Sequence, residues 1–257
     1  MMKPNLATEK PTPKVLRICL WAQIWFHILC GVCTLSFLFP FFDRQKKTQK
    51  IQAWSVRLLQ IFHLELQVKG ADLLPSTPYL LASNHISWID IHVINAFRPI
   101  RFVAKSEVAS WPIFGKMATQ LGTVFIRRDN SRHARAVVHE IARVLKTQSI
   151  CIFPEGTSTI GELVLPFRPN LFEAAVVSQT PVYPLAIAYV SQKTGLRSDA
   201  PAFIGDMGLL ESISNILKNR YLAVNLQILP PYVPGPDMLF DRKQLAFYCQ
   251  DSIAKAI

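Results

Sequence analysis

The chain has 257 residues, half of them hydrophobic and 18% charged, with a formal net charge of +11. That length fits one domain with an extension, and the apolar share is high for a soluble enzyme. A basic balance points to nucleic acid or an anionic membrane. The lysines and arginines are spread out and no zinc-finger spacing or other nucleic-acid motif is present, which leaves the membrane. Five cysteines, an odd number, speak against a disulfide framework and for a reducing compartment.

Residues 1–14 are polar and proline-containing, a loose tail. Residues 18–42 are almost wholly apolar, broken by Gln23 and His27, and long enough to span a bilayer. They are too long for a signal-peptide core, and no small-x-small cleavage site follows. Basic residues flank both ends: Lys10, Lys14 and Arg17 before, Arg44, Lys46, Lys47 and Lys50 after. Because basic residues favour the cytoplasmic side, such flanks suit a hairpin dipped into one leaflet better than a span. Pro40 and Asp43-Arg44 would make the turn. Residues 45–66 would return as an amphipathic helix, with Ile51, Trp54, Leu58, Leu59 and Phe62 on one side and cations at anionic headgroups. A plain single span is the alternative. The division expected is therefore 1–66 for tail and hairpin and 67–257 for a catalytic domain.

From Gly70 short apolar runs alternate with helical stretches. Strands are expected near 79–82, 100–104, 123–126, 149–153, 182–190 and 222–229. Helices are expected from Trp88, over 108–121 with a break near Pro112, then 132–147, 170–178, 209–218 and 242–256. The helix over 132–147 is capped by Asp129-Asn130-Ser131 and has Ala134, Val137, Val138, Ile141 and Leu145 on one face. This alternation predicts an α/β fold with a largely parallel sheet flanked by helices.

Four short blocks carry chemistry. Ser83-Asn84-His85-Ile86-Ser87-Trp88-Ile89-Asp90 places His85 in a strand-to-helix turn and Asp90 in the first turns of the helix. A carboxylate there can accept one imidazole N–H and leave the other nitrogen to take a proton from a hydroxyl. Taken alone, His85 reads as a turn histidine and Asp90 as a helix-start carboxylate. Gly122-Thr123-Val124-Phe125-Ile126-Arg127-Arg128 ends a strand in two arginines, suited to a phosphate or simply solvated. Phe153-Pro154-Glu155-Gly156-Thr157 runs a strand into a turn, with Gly156 permitting close backbone approach and Glu155 available to an arginine or a substrate hydroxyl. Thr180-Pro181-Val182-Tyr183-Pro184-Leu185 has no reactive group and shapes a wall.

In this order and spacing the blocks resemble those of the glycerolipid acyltransferase family, typified by 1-acyl-sn-glycerol-3-phosphate acyltransferase. The His-x4-Asp block matches Asn84-His85 through Asp90. Gly-x-x-Phe-Ile-x-Arg matches Gly122 to Arg128, Phe-Pro-Glu-Gly-Thr matches Phe153 to Thr157 unchanged, and Val-x-Pro matches Val182 to Pro184. The resemblance covers about residues 50–257, and a two-helix N-terminal membrane motif also occurs in the family. It implies transfer of an acyl chain from acyl-CoA or acyl-acyl carrier protein to the sn-2 hydroxyl of 1-acyl-sn-glycerol-3-phosphate. His85 would be the base and Asp90 its orienting partner. Arg128, Glu155, Gly156 and Thr157 would hold the acceptor's polar head, with Arg127 and Arg168 beside them.

No metal, resident cofactor or nucleic acid is implied. The partners are membrane lipids and the acyl donor, and the place is the cytoplasmic face of a membrane, the inner one in a bacterium. One departure stands out: the family's Pro-Phe-Lys-x-Gly reads here Pro166-Phe167-Arg168-Pro169-Asn170. That form is closer to the lyso-ornithine-lipid acyltransferases. The other readings are a lipid hydrolase, a non-catalytic membrane module, and a metal site using His85, Asp90 and His92.

Overall fold

The computed structural model describes residues 11–110, 114–126, 131–232 and 241–257. Seven strands form one sheet in the order β1 (Leu64–Lys69), β7 (Leu222–Ile228), β6 (Val182–Ser191), β2 (Leu80–Ser83), β5 (Ile150–Ile152), β3 (Arg101–Lys105) and β4 (Val124–Ile126). Every neighbouring pair is parallel except β6 with β7. Strand pleating sends alternate side chains to opposite faces. Leu81, Tyr183, Leu185 and Ile187 enter one core, and Leu80, Ala82, Val182 and Ala186 enter the other. The first core is covered by α2 (Arg44–Ile61), α3 (Asp90–Phe97) and α7 (Leu209–Lys218). The second is covered by α5 (Ser131–Leu145), α6 (Glu173–Ser178) and α8 (Arg242–Ala254). In α5, Val137, Ile141 and Leu145 are buried as the helical spacing predicts.

The expected helix over 108–121 resolves into a 3-10 turn, Ser106–Ser110, and a short α4, Phe114–Gln120. Pro112, with Asp129 and Asn130 of the expected cap, lies outside the described residues.

The N-terminal segment does fold back on itself. The helix α1 (Lys14–Cys33) runs on through a π turn and a 3-10 turn, so that Lys14–Phe41 is helical over 28 residues and is apolar enough to cross a bilayer. Asp43 caps α2 by accepting the Lys46 N–H at 2.7 Å. Leu20, Ile24, His27 and Gly31 face the protein, while Val15, Ile18, Trp25, Phe26, Leu29, Phe37 and Phe41 stand exposed. Cys30 and Cys33, at C-x-x-C spacing, are free thiols on the exposed side of α1.

Two expectations need correction. Residues 64–69 are a strand, not the end of a helix: α2 stops at Ile61, and the positive φ of His63 (52°) turns the chain into β1. A cut between residues 66 and 67 would therefore divide a strand paired with β7 along its whole length. Nor is the apolar side of α2 left for lipid. Leu58, Leu59 and Phe62 are buried in the first core, and Gln52 donates to the carbonyls of Ala96 and Phe97 at the end of α3. Packing against α3 and β1 removes that face from any solvent, aqueous or lipid.

Candidate active site

The site forms at the carboxyl ends of β2 and β5, where open parallel sheets bind ligands. These strands are neighbours, with Leu80 opposite Ile150, so the turn after β2 and the turn after β5 meet. Ser83 and Asn84 fix the first turn. The Ser83 hydroxyl donates to the Leu185 carbonyl. The Asn84 amide accepts the Ile187 N–H at 2.8 Å and donates to the Ile187 carbonyl at 2.9 Å. A side chain thus continues the β2–β6 ladder where the backbone has left it.

His85 is held from every side but one. Its N–H donates to Glu155 Oε1 at 2.7 Å, and its carbonyl accepts the Thr159 N–H at 2.9 Å. Its ring stacks on Phe153, with centroids 4.1 Å apart and planes within 19°. Nδ1 meets Asp90 Oδ2 at 2.8 Å. A carboxylate fixes the tautomer with hydrogen on Nδ1 and a lone pair on Nε2. The side chain is 21% exposed, and Nε2 has no partner among the described residues. A hydroxyl arriving there meets a base whose rotation is already restricted.

Asp90, the first residue of α3, is completely buried. Its Oδ2 also accepts the N–H groups of Ile86 (2.8 Å) and Ser87 (2.9 Å), and its Oδ1 accepts the Tyr189 hydroxyl at 2.6 Å. A buried carboxylate is tolerable only when so saturated. Nearby, burial pushes the Cys151 thiol well up, with the Asp90 charge adding to it, which leaves that cysteine inert.

Glu155 takes a different part from the one its motif suggests. It is 3% exposed and uses both oxygens on backbone, accepting from His85 and, at 2.9 Å, from the Leu165 N–H. Burial raises its pKa, opposed by those two hydrogen bonds. It braces the histidine turn, and among the described residues no arginine donates to it. Gly156 follows with φ of 73°, a conformation that glycine adopts without strain. Gly161 (φ +75°) is required for a second reason, since a Cβ there would come within 2.6 Å of Ile86 Cδ1.

Thr157 and Arg168 are exposed beside this turn, and the Arg168 N–H is tied to the Pro154 carbonyl at 3.0 Å. Arg127 and Arg128 lie outside the described residues; β4, which leads to them, is parallel to β3. His92 does not join His85 and Asp90. Its ring contacts Trp54 and Trp88 instead, and among the described residues no three His, Cys, Asp or Glu side chains are grouped to hold a metal.

Sequence reasoning missed Tyr189. A tyrosine in a strand buried on both faces reads as core, and only the strand order, which sets β6 against β2, brings it to Asp90.

Residues 65–188 match the family model described as Acyltransferase. The chain is 35% identical to the lyso-ornithine lipid O-acyltransferase of Pseudomonas aeruginosa, covering 79% of this chain and 76% of that protein. This chain belongs to the acyltransferase family. It is also 34% identical to the 1-acyl-sn-glycerol-3-phosphate acyltransferase of Neisseria gonorrhoeae, over 58% of each chain. Its fold is that of the 1-acyl-sn-glycerophosphate acyltransferase PlsC of Thermotoga maritima, with a TM-score of 0.69 and 20% identity over 94% of this chain and 93% of that one. The acyltransferase is thus of the lysolipid type, and its apolar N-terminal helix and lipid-acting relatives associate it with membranes.

Proposed function

We propose that this acyltransferase moves an acyl chain from a thioester, acyl-CoA or acyl-acyl carrier protein, to the free sn-2 hydroxyl of 1-acyl-sn-glycerol-3-phosphate, giving phosphatidic acid. The observation that carries the chemistry is the pair formed by His85 and the buried Asp90, with Nε2 left open. His85 Nε2 takes the hydroxyl proton as the oxygen attacks the thioester carbonyl. Asp90 stabilises the imidazolium, and the proton then goes to the departing thiolate. The substrate hydroxyl stands where a serine would in a protease triad, so no acyl-enzyme is needed.

Arg128 and the exposed Arg168 are the cations for the acceptor phosphate, with Gly156 and Thr157 at the turn between. Arg127 is the weaker candidate. Glu155 contributes by holding the turn. The loss of Lys-x-Gly after Phe167 favours a second reading, a lyso-ornithine lipid as acceptor, and the relatives matched over more of this chain carry that name. The hairpin dips into the cytoplasmic leaflet, with Trp25, Phe26, Phe37 and Phe41 in lipid and Lys46, Lys47 and Lys50 at the headgroups.

Purified protein given both acceptors with each donor tests this. Turnover of lysophosphatidic acid is expected to exceed that of lyso-ornithine lipid, and the reverse order assigns the second reading. Arg128→Ala is expected to lower kcat/KM for lysophosphatidic acid by about 1.5–3 kcal/mol with donor saturation unchanged. Unaltered acceptor kinetics would remove Arg128 from the site.

A further inference from the structure

Among the described residues, Tyr189 is the one side chain hydrogen-bonded to the His85–Asp90 pair that the proposed reaction leaves without a part. It is 1% exposed and reaches Asp90 Oδ1 from β6. Among the described residues it is the sole donor on that oxygen, whereas Oδ2 accepts three N–H groups. A phenylalanine would fill the same core, so a buried hydroxyl here needs a reason, and a short O–H to carboxylate bond is a strong one.

We propose that Tyr189 is a positioning residue for acyl transfer, acting through Asp90 by fixing the plane of its carboxylate and taking up part of its charge. The proposal rests on His85 being the base. With Oδ2 crowded by three donors, Oδ1 is the lever that sets carboxylate rotation, and hence the line from Oδ2 to Nδ1. The second effect is electrostatic. A carboxylate stripped of water binds a proton more tightly, and each donor on it opposes that. Without the phenol, the Asp90 carboxylate offers more of its charge to the imidazole ring, so the second proton, the one that occupies Nε2, is bound more tightly. Fewer molecules then present a free Nε2 at a given pH.

Among the described residues, few titratable groups face the pair from neighbouring elements. Cys151 on β5 and Tyr189 on β6 both keep their protons, each pushed well up by burial with the Asp90 charge adding. Glu155, after β5, faces the His85 backbone. Among the described residues, the pair itself and Glu155 therefore hold the ionisations that matter locally.

The test is the pH profile of kcat/KM for Tyr189→Phe in the full-length protein, beside a variant with 3-fluorotyrosine at 189 and beside His85→Ala. In Tyr189→Phe, kcat is expected to fall about tenfold with KM little changed. The acid limb of the profile is expected to move up by about 0.5–1 pH unit. 3-Fluorotyrosine, a stronger donor that keeps the hydroxyl, is expected to hold the rate and move the limb down, and it decides the matter should the phenylalanine variant fail to fold. A fall that is uniform across pH with both limbs unmoved marks a merely structural tyrosine and overturns the proposal, as does wild-type behaviour. Near-normal rates in His85→Ala would instead overturn the base reading on which it rests.

Discussion

Two histidines bracket the start of α3 and are treated in opposite ways. His85, in the turn, has a buried carboxylate on Nδ1, an aromatic ring beneath it and an open Nε2. His92, within the helix, lies against Trp54 and Trp88, with ring centroids at 5.1 and 5.8 Å, and its Nδ1 is buried without a partner. Burial lowers its pKa to about 4, with the neighbouring His27 adding to the effect. The first environment suits the imidazolium that the proposed reaction forms. The second disfavours one. What separates the two imidazoles is the carboxylate brought to one of them, not their place in a motif-rich segment.

Removing the reactive partner breaks the comparison most severely. His85→Ala is expected to cost roughly 10²–10⁴-fold in acyl-transfer rate, the usual worth of a general base, while the protein keeps its thermal transition. Asp90→Asn should approach that loss. Its amide oxygen can still accept from Ile86, Ser87 and Nδ1, but it carries no charge to stabilise imidazolium. Stopped assays with either lysolipid measure both variants, and near-normal turnover in either would sink the mechanism.

A milder change loosens the turn while leaving the base intact. Glu155→Gln sets an amide NH₂ against the N–H of His85 or Leu165, where a carboxylate oxygen now accepts. Losing one such charged hydrogen bond is worth about 1.5–3 kcal/mol, or roughly 10–100-fold if it all falls on the transition state. The expected signature is a lower kcat with the acceptor KM held, since both Glu155 oxygens are buried and bonded to the backbone of the turn. A large rise in acceptor KM would restore the direct substrate contact that its motif suggests.

How far the sequence could be read follows the range of each interaction. The His85–Asp90 pair was legible because its spacing is local and both residues lie in one strand-to-helix turn. The alternation of strands and helices was legible for the same reason, and α7 falls where its period places it. Residues 64–69 were not read as a strand, although Leu64, Leu66 and Val68 alternate with polar residues as a strand does: Leu66 also lies four residues after Phe62, and that helical spacing carries the expected helix past its end. Glu155 was found as a motif residue, but its bonds to the backbone N–H groups of His85 and Leu165 were not, since no sequence pattern marks them. Tyr189 was invisible for the same cause: its hydroxyl meets a carboxylate that lies 99 residues earlier in the chain.

The smallest effect sharpens the comparison from the silent side. His92→Leu replaces an imidazole that has an unsatisfied buried nitrogen by an apolar side chain in an apolar setting of Trp54, Leu58 and Phe62. In the wild type, the folded pKa of about 4 lies below the ordinary value of 6.5. Between those values the unfolded chain binds the extra proton. The contribution of neutral His92 is therefore fully present above about pH 6.5 and lost as pH falls toward 4, by up to about 1.4 kcal/mol per unit. The leucine variant has no such proton to bind. Its melting temperature is expected to match or slightly exceed wild type at pH 7.5 and to fall less steeply on acidification to pH 5, with acyl-transfer rate within about twofold. An unchanged acid slope would mean that His92 is hydrated in solution. A tenfold loss of rate would place the second histidine in the site after all.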